Sequence, residues 1–377
     1  MKEVGYLIFA FFFAVGRIFP VKRGKIVLFN GHNHGLNGNL EEIKKAMEQQ
    51  EGSEKRYTFL LYAKRDLFHD HGIFGKCMDA FRFFVQWPVQ MATAEKIFLN
   101  DNFLPLGYCK PAKGTQVIQL WHGAGAFKKF GLSTEKDENV RKQVVRANRR
   151  LTHLFVTSEQ VVPYYQEAFG VPEEKIYAAG IPVTDLYFQK EQKVQSQERF
   201  YKKFPELTGK KLLLYTPTFR NTVEENSAIL EHFSVERIHE VLGDEWVILI
   251  RMHPKFPSEH IVQNSFCYNM TDYSQIIDLY FVSDMLITDY SSTVVEYSLL
   301  DKPILLYAYD LEQYDRGFYR DYETTVPGDV AHNGQELLAL LKNDGKKDVK
   351  RQNFVKLQYD YRDGDSAKRI LAVLDQK

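Results

Sequence analysis

WVILIRMH, residues 246–253, is an unbroken apolar run that ends in the polar residues Arg251 and His253. A continuous run of branched aliphatic residues, in place of an alternating one, predicts a strand that is covered on both faces by helices, as in a parallel sheet. Similar runs recur along the chain at 25–31, 95–100, 115–121, 153–158 and 175–180, and again at 211–218, 285–292 and 303–310. A polar, charged stretch at 189–203 separates the two groups and reads as a linker. The sequence therefore predicts an α/β protein with two parallel sheets.

Length, charge and cysteine content limit the possible partners. A chain of 377 residues is long enough for two domains of roughly 150–190 residues each. The 49 basic and 49 acidic residues cancel, so no net charge attracts nucleic acid, and we predict no nucleic-acid partner. Cys77, Cys109 and Cys267 are widely spaced and form no CxxC pair, which favours a reducing, intracellular setting without a zinc or disulfide framework.

The N-terminal residues Val4–Phe19 are almost entirely apolar and aromatic. This stretch is shorter than the ~20 residues that a membrane-spanning helix needs, and it lacks the basic start and cleavage site of a signal peptide. We favour an interfacial or hairpin-like membrane anchor. A first helix buried against the protein, or a span or signal, are the alternatives.

A basic segment at 128–150 holds eight basic and three acidic residues. In its helical part, Lys142, Arg146 and then Arg149 or Arg150 follow at spacings of three and four, so one helix face is cationic. Such a face suits anionic lipid headgroups at roughly 1 kcal/mol per charge. A solvated helix face is the alternative interpretation.

The carboxyl ends of the predicted strands carry the polar motifs. Ligands of open parallel sheets bind there, where loops and helix N-termini converge. The motifs are GHNHGLNGN, WHGAG, GIPVTD, TPTFR, RMHP and TDYSST. Most of them are rich in Gly, Ser, Thr, His and Arg, which indicates a site that binds phosphate groups.

Residues 287–300 give the strongest of these signals. A strand ends at Asp289, and Ser291, Ser292 and Thr293 open a helix, so hydroxyls and free backbone N–H groups would face an anion. One turn later, Glu296 could accept hydrogen bonds from ribose hydroxyls. The alternative is that Thr293 and Glu296 form a capping box and do nothing more.

Two histidines follow strand ends in the two halves of the chain. Arg251 could contact a phosphate in bidentate fashion, and His253 could donate to the same group, although a structural hydrogen bond is the commoner role of a single histidine. His122 lies between Trp121 and Gly123, where glycine allows close approach of a substrate. An imidazole can take a proton from an alcohol near neutral pH, so His122 is the candidate general base.

Several motifs together resemble the CDP-glycerol glycerophosphotransferases of teichoic acid synthesis. The resemblance runs from about Gln119 to Arg320 and rests, in order, on WHGAGAFKKFG, the stretch from Thr157 to Asp185, YTPTFR, RMHP and ITDYSSTVVEYSLLDKPILLYAYDLEQY. It implies a GT-B-like architecture of two Rossmann-like domains with parallel sheets facing a central cleft. The expected divisions are a membrane-associating helix at 1–20, an acceptor domain at 21–188, a CDP-polyol domain at 189–345 and a C-terminal helical segment at 346–377.

The resemblance also implies roles for individual residues. His122 resembles the family's catalytic base, with Gly123 beside it, and Arg251 and His253 resemble the groups on the donor phosphates. The segment Thr216, Pro217 and Thr218 would lie near the nucleotide, and Asp289 with Ser291, Ser292, Thr293 and Glu296 would receive the pyrophosphate and ribose. Val183 stands where many members have an arginine, which removes one expected phosphate contact.

The implied reaction is attack by an acceptor hydroxyl on the β-phosphorus of CDP-glycerol, with release of CMP. The acceptor would be an undecaprenyl-linked saccharide at the cytoplasmic face of the membrane, and the chain length resembles that of the primases. CDP-ribitol as donor, a GT-B glycosyltransferase using a nucleotide sugar, and an inactive membrane-binding scaffold are the alternatives. We predict no cofactor and no metal site, because Asp185, Asp289 and Glu296 are separated in sequence; assistance by Mg²⁺ is left open.

Overall fold

The computed structural model describes residues 2–50, 57–67, 72–253, 261, 263–342 and 349–376. The chain divides into two compact units. The first unit comprises Met1–Leu186 and Tyr359–Lys377, and the second comprises Tyr187–Gln358. The change of unit at 186/187 lies close to the expected boundary at 188/189. The expected C-terminal segment 346–377 is shared between the two units.

The first unit is built on a six-stranded parallel sheet in the order β2-β1-β3-β4-β5-β6. Its strands are β1 (Lys22–Asn30), β2 (Thr58–Ala63), β3 (Ala94–Leu99), β4 (Gln116–Gln119), β5 (His153–Val156) and β6 (Ile176–Ala178). Its first helices are α1 (Lys2–Gly16), α2 (Gly38–Glu48), α3 (Ile73–Phe81), α4 (Trp87–Ala92), α5 (Glu138–Asn148) and α6 (Val162–Phe169), with a π-helical turn at Arg82–Gln86 joining α3 to α4. Strand β2 was not predicted from the sequence, because it lies at the sheet edge and is only partly buried.

The second unit has its own six-stranded parallel sheet, in the order β12-β11-β10-β7-β8-β9. Its strands are β7 (Lys211–Thr216), β8 (Trp246–Ile250), β9 (Cys267–Asn269), β10 (Met285–Thr288), β11 (Ile304–Tyr307) and β12 (Asp329–Ala331). Its helices are α7 (Lys190–Lys203), α8 (Val223–His232), α9 (Val235–Leu242), α10 (Ile276–Val282), α11 (Thr293–Tyr297), α12 (Tyr322–Thr325), α13 (Gly334–Leu341) and α14 (Val349–Gln358). The expectation of two parallel α/β sheets is confirmed. The edge strands β9 and β12 were not predicted, because each is only three residues long and contains a polar residue, Asn269 or Asp329.

The predicted linker at 189–203 is wrong, because this stretch forms helix α7. Phe200 is fully buried, and Arg199 pairs with the buried carboxylate of Asp278 on α10 at 2.6 Å. The high content of charged residues hid a helix that buries a narrow stripe and exposes the rest of its surface.

The last helix, α15 (Ser366–Asp375), returns to the first unit and packs against α2. The carboxylate of Asp185 accepts hydrogen bonds from the backbone N–H groups of Ser366 and Ala367, at 2.8 and 2.9 Å, and so fixes the start of this helix. Gly180 permits the close approach, since it has φ +87° and a Cβ atom there would meet Ser366 Oγ at 2.3 Å.

Helix α1 packs one side against α4 and leaves the other side exposed. Phe9 and Phe13 are buried, and a Cβ atom on Gly16 would meet the backbone of Val89 at 2.8 Å, so the two helices lie in close contact. Among the residues that the structure describes, no helix combines the length and the apolar character that crossing a bilayer requires.

Candidate functional site

The first unit brings a carboxylate and two imidazoles together at its strand ends. Strands β1, β3 and β4 are neighbours, and their carboxyl ends lead into His32, Asp101 and His122 respectively. Oδ1 of Asp101 lies 3.0 Å from Nδ1 of His122 and also contacts Nδ1 of His32. The two imidazole rings meet edge to face with their centroids 5.5 Å apart.

Asp101 is held rigidly within this cluster. Its side chain is 2% exposed, and Oδ2 accepts hydrogen bonds from the backbone N–H groups of Gly31 at 2.8 Å and His32 at 3.1 Å. Burial by itself would raise the pKa of the Asp101 carboxyl, but the hydrogen bonds and charge interactions with His122 and His32 lower it below its usual value. The carboxylate is therefore the ionised form at neutral pH.

The backbone that presents His122 is strained. Trp121 has φ +60°, which is unusual for a residue other than glycine. Its N–H donates to Gln119 Oε1 at 3.0 Å, and its carbonyl accepts from Asn39 Nδ2 at 2.9 Å. These two bonds hold a conformation that the chain would otherwise avoid, and strain of this kind is typical of functional sites.

Gly123 and Gly125 continue the same loop and are fixed by one tyrosine. Tyr165 Oη lies 3.1 Å from the carbonyl oxygen of Gly123 and 2.9 Å from that of Gly125. The N–H of Gly125 donates to Thr157 Oγ1 at 3.1 Å. The loop is thus part of the rigid framework of the first unit, whereas contact between Gly123 and a substrate stays a prediction.

The same three residues form a donor set that a metal ion could use. The nearest ligand atoms of His32, Asp101 and His122 all lie within 4.8 Å of one another. Two imidazole nitrogens and one carboxylate suit zinc, iron or manganese better than Mg²⁺, which prefers oxygen ligands. This cluster was not predicted from the sequence, because the acids considered as ligands were Asp185, Asp289 and Glu296.

In the second unit, Arg251 and His253 follow strand β8 as predicted, while the Pro254 that completes the motif lies outside the described residues. The Arg251 guanidinium is partly buried, and Nη1 donates to the carbonyl oxygens of Met270, at 3.3 Å, and Tyr273. Burial lowers the pKa of Arg251, although Tyr280 and Asp272 act in the opposite direction. His253 is exposed and packs against the ring of Phe219, with the centroids 5.2 Å apart.

Asp289 has a structural role that the sequence did not reveal. It is 2% exposed, and its carboxylate accepts from the backbone N–H of Thr218 at 2.8 Å and from Arg220 Nη2 at 2.9 Å. Arg220 is also paired with Asp310 at 2.7 Å and lies against the ring of Tyr290. The carboxylate is therefore already bound within the protein, and its contact with a ligand stays a prediction.

The TPT segment is bound to the neighbouring strand end. Thr216 is buried, and its Oγ1 lies 3.3 Å from Thr288 Oγ1 on β10. Pro217 is buried as well. Oγ1 of Thr218 is buried without a hydrogen-bond partner among the described residues, which leaves one polar group at this strand end for a ligand.

The serine-rich turn after β10 is exposed at its tip. Ser292 is exposed, Ser291 is half-buried and Thr293 is buried. The hydroxyl groups of Ser291 and Thr293 are 2.6 Å apart. The capping-box alternative is wrong, because α11 begins at Thr293 with Ser292 at the N-cap position and no side-chain cap bond.

Glu296 lies one turn further along α11 and is partly exposed. Its Oε2 lies 3.5 Å from Tyr187 Oη. Burial raises the pKa of Glu296 to about 7, against a small opposing effect of Tyr187. A carboxyl group that titrates near neutral pH is typical of functional sites.

Three site residues that were not predicted, His32, Asp101 and Arg220, have only one weak signal in the sequence, their position after the end of a strand. His32 lies in the GHNHG motif that the sequence analysis quoted, and Asp101 follows the run EKIFLN, but no ligand-binding motif surrounds Asp101. Arg220 belongs to the quoted TPTFR motif, yet its partner Asp310 lies 90 residues away in the sequence. Strand ends alone could have suggested these residues, whereas their pairing required the sheet order.

Known proteins resemble this chain in sequence and in fold. The sequence model of the family described as CDP-glycerol:poly(glycerophosphate) glycerophosphotransferase matches residues 11–375. A teichoic acid ribitol-phosphate primase of Bacillus spizizenii is 31% identical over 362 residues, which cover 94% of this chain and 91% of the primase. A teichoic acid glycerol-phosphate primase of Bacillus subtilis is 30% identical over 74% of this chain and 73% of its own.

Longer relatives and solved structures match as well. A teichoic acid poly(ribitol-phosphate) polymerase of B. spizizenii is 30% identical over 98% of this chain, and the match spans 59% of the polymerase. A structure of the wall teichoic acid polymerase TagF superimposes with a TM-score of 0.77 over 98% of this chain and 93% of its own, at 21% identity. A UDP-N-acetylglucosamine 2-epimerase of Listeria monocytogenes gives a TM-score of 0.58 at 15% identity, over 94% and 96% of the two chains. These two likenesses concern the fold.

Proposed function

The chain belongs to the CDP-glycerol:poly(glycerophosphate) glycerophosphotransferase family, and on this premise we propose that it transfers an alditol phosphate in teichoic acid synthesis. The donor is CDP-glycerol, the acceptor is a hydroxyl group of an undecaprenyl-linked saccharide, and CMP is released. The observation that carries the proposal is the pairing of His122 with the buried carboxylate of Asp101 at a strand end. That pairing directs Nδ1 of the imidazole toward the protein and leaves Nε2 as the nitrogen that can accept a proton.

The chemistry assigned to the first unit is general-base catalysis. His122 Nε2 takes the proton of the acceptor hydroxyl, whose oxygen forms a bond to the β-phosphorus of the donor. The bond from the β-phosphorus to the bridging oxygen breaks, and CMP leaves with the electron pair. Positioned base catalysis of this kind contributes roughly 10²- to 10⁴-fold in rate.

The chemistry assigned to the second unit is donor binding. The Arg251 guanidinium is partly desolvated, and its described hydrogen bonds go to backbone carbonyl oxygens. A desolvated cation that is held by neutral dipoles gains most when an anion binds it, which supports a role on the donor phosphates. His253, the exposed hydroxyl of Ser292 and the unpaired hydroxyl of Thr218 are further groups for the same donor.

CDP-ribitol is the second candidate donor, because one observation favours it. The ribitol-phosphate primase match covers 94% of this chain, whereas the glycerol-phosphate primase match covers 74% at almost the same identity. The family description favours glycerol, so the two donors have to be compared directly.

Peripheral attachment to the cytoplasmic face of the membrane completes the proposal. The outer side of α1 exposes apolar side chains, among them Leu7 at 57% and Phe11 at 63%. Helix α3, which is joined to α4 beside α1, exposes Ile73 and Phe74 at 86% and 80%. We call these two exposed helix faces the apolar surface; exposed apolar side chains in such number are typical of an interfacial membrane site.

The basic helix α5 lies next to the start of α1. Glu3 on α1 accepts hydrogen bonds from Tyr108 Oη at 3.1 Å and from Gln143 Nε2 on α5 at 3.5 Å, so the start of α1 lies beside α5. Lys142 and Arg146 on α5 are exposed, and Arg146 stacks on Tyr108 at 3.8 Å. Apolar side chains flanked by cations suit a bilayer that contains anionic lipid.

The reaction is tested by measuring nucleotide release. Purified protein is incubated with a lipid-linked disaccharide and, in separate reactions, with CDP-glycerol, CDP-ribitol or a UDP-sugar. We expect CMP from a CDP-alditol, and a decrease of roughly 10²- to 10⁴-fold in His122→Ala. His34→Ala is the matched control, since His34 is also exposed in the first unit and also pairs with an aspartate, Asp66. Release of UDP alone, or normal turnover by His122→Ala, would contradict the proposal.

Membrane attachment is tested by sedimentation with vesicles of phosphatidylethanolamine and phosphatidylglycerol. The double variant Leu7→Glu, Phe11→Glu should lose most of its binding, because each change places a charge where an apolar side chain would enter the interface. Val194→Glu, an equally exposed apolar position on α7 of the second unit, should bind normally. Equal binding of all three proteins would refute the proposed surface.

A further inference from the structure

The two oxygen atoms of the Asp101 carboxylate have different hydrogen-bond partners. Oδ2 accepts two backbone N–H groups, those of Gly31 and His32, and these donors cannot rotate away. Oδ1 is thereby fixed in the direction of His122 and His32. The orientation of the carboxylate is decided by the backbone of the β1 loop and does not depend on either imidazole.

The environment of His122 Nδ1 contains two acceptors. Asp101 Oδ1 lies at 3.0 Å, and the backbone carbonyl oxygen of Asn100 lies at 3.3 Å. An unprotonated Nδ1 would face both oxygens with its own lone pair, which is repulsive. The neutral ring must therefore carry its proton on Nδ1, and its basic lone pair on Nε2.

We propose that Asp101 is a positioning residue for His122: it fixes the Nδ1–H tautomer and the ring orientation, and it stabilises the imidazolium that forms when Nε2 takes a proton. The proposal rests on the function assigned to His122 above. His32 contacts the same oxygen from the exposed side, where its side chain is 70% exposed.

Asp101→Asn separates this role from simple packing. The two backbone N–H groups will retain the amide oxygen, because the NH₂ group cannot accept hydrogen bonds. The NH₂ group then faces His122 Nδ1 and requires an acceptor there. The variant should therefore convert His122 to the Nε2–H tautomer, in which the catalytic nitrogen has no lone pair.

Asp66→Asn is the matched control. Asp66, which follows β2, contacts the same loop after β1 in a similar way: it pairs with His34 Nδ1 at 2.8 Å and accepts the backbone N–H of Gly35 at 3.1 Å. It is exposed and does not contact His122. Asp66→Asn therefore makes the same change from carboxylate to amide, but at a site where it should not alter the tautomer of His122.

The experiment combines steady-state kinetics with long-range ¹H–¹⁵N NMR of histidine-labelled full-length protein. The His122 signals are assigned by comparison with His122→Ala. In the unaltered protein we expect His122 to be protonated on Nδ1. In Asp101→Asn we expect the Nε2–H tautomer and a loss in kcat of roughly 10²- to 10⁴-fold with little change in the KM for the donor. Asp66→Asn should match the unaltered protein in both measurements.

The outcomes separate this proposal from the one on which it rests. Full activity of His122→Ala refutes the catalytic assignment, while the tautomer measured by NMR still tests Asp101. An inactive His122→Ala together with normal turnover and an unchanged tautomer in Asp101→Asn refutes the positioning role alone. An Nε2–H tautomer in the unaltered protein refutes it even if Asp101→Asn fails to fold.

A bound metal ion would also overturn the proposal, because it would replace the proton on Nδ1. Titration of the unaltered protein with Zn²⁺ or Mn²⁺ tests this directly. Tight one-to-one binding that is lost in His32→Ala would assign the cluster to a metal. We expect no such binding.

Discussion

Replacement of Asp289 by asparagine tests whether this residue is part of the framework or of the donor site. In the structure, Oδ1 of Asp289 accepts the N–H of Thr218, and Oδ2 accepts Arg220 Nη2. In Asp289→Asn the amide oxygen can keep the backbone bond, but the NH₂ group will then face the guanidinium of Arg220. Two donors meet, and one of the two carboxylates paired with a buried cation is lost.

The size of the effect follows from the burial of the pair. Arg220 and Asp289 are 6% and 3% exposed at the side chain, and disruption of a buried pair typically costs about 3–5 kcal/mol. Asp310 stays bound to Arg220 through two nitrogen–oxygen contacts, at 2.7 and 2.9 Å, which offsets part of the loss. We therefore expect a destabilisation of about 3 kcal/mol, the lower end of that range. For a domain of this size it corresponds to a fall in Tm of about 6–12 °C.

Equilibrium urea unfolding and calorimetry of the full chain measure this loss, and titration with CDP-glycerol measures donor binding on the folded protein. Asp315→Asn is the control, because Asp315 is exposed and contacts only the side chain of Asn221 among its described hydrogen bonds. Unchanged stability of Asp289→Asn, combined with lost donor affinity, would show that the carboxylate contacts the ligand and that the structural assignment is wrong.

Three further predictions follow from single sites. Burial raises the pKa of Glu296 to about 7, so its carboxylate forms as the pH rises through that value. If this carboxylate binds the ribose, the KM for the donor should fall over the same pH range. The variant Glu296→Gln should remove this pH dependence. Arg251→Lys should weaken donor binding by calorimetry about tenfold or more, since lysine lacks the guanidinium fork, whereas exposed Arg237→Lys should not. Gly328→Ala places a Cβ atom 2.0 Å from the carbonyl oxygen of Ile304 and should lower the free energy of unfolding by about 1–3 kcal/mol.

The control for the last prediction is Gly72→Ala, where an added Cβ atom meets nothing within 4 Å. Equal stability of the two glycine variants would contradict the close approach of Gly328 to Ile304 on β11. A pH-independent KM, or a Glu296→Gln variant that keeps the dependence, would exclude the ribose contact. Normal donor affinity in Arg251→Lys would exclude a bidentate phosphate contact.

Most of the sheet strands were predictable because burial on both faces requires a continuous apolar run. The runs at 246–253 and 285–292 both contain strands of the second sheet, and Arg251 and His253 follow strand β8, as expected. The edge strands do not show such an apolar run, since β2 is partly exposed and β9 is very short. The helix α7 was hidden for a related reason, because a helix that buries mainly Ser196 and Phe200 can otherwise be charged.

The sequence by itself determined the class of fold, the identity of His122, Arg251 and His253 as strand-end groups, and the family resemblance, because these depend on residues that are close together along the chain. Only the tertiary structure determined which side chains these residues pair with. It paired His122 with Asp101 and His32, from neighbouring strands, and it used Asp289 to balance Arg220. The physical reason is that the charge state and tautomer of a side chain depend on the groups within hydrogen-bonding distance, and the order of strands in the sheet decides which groups those are.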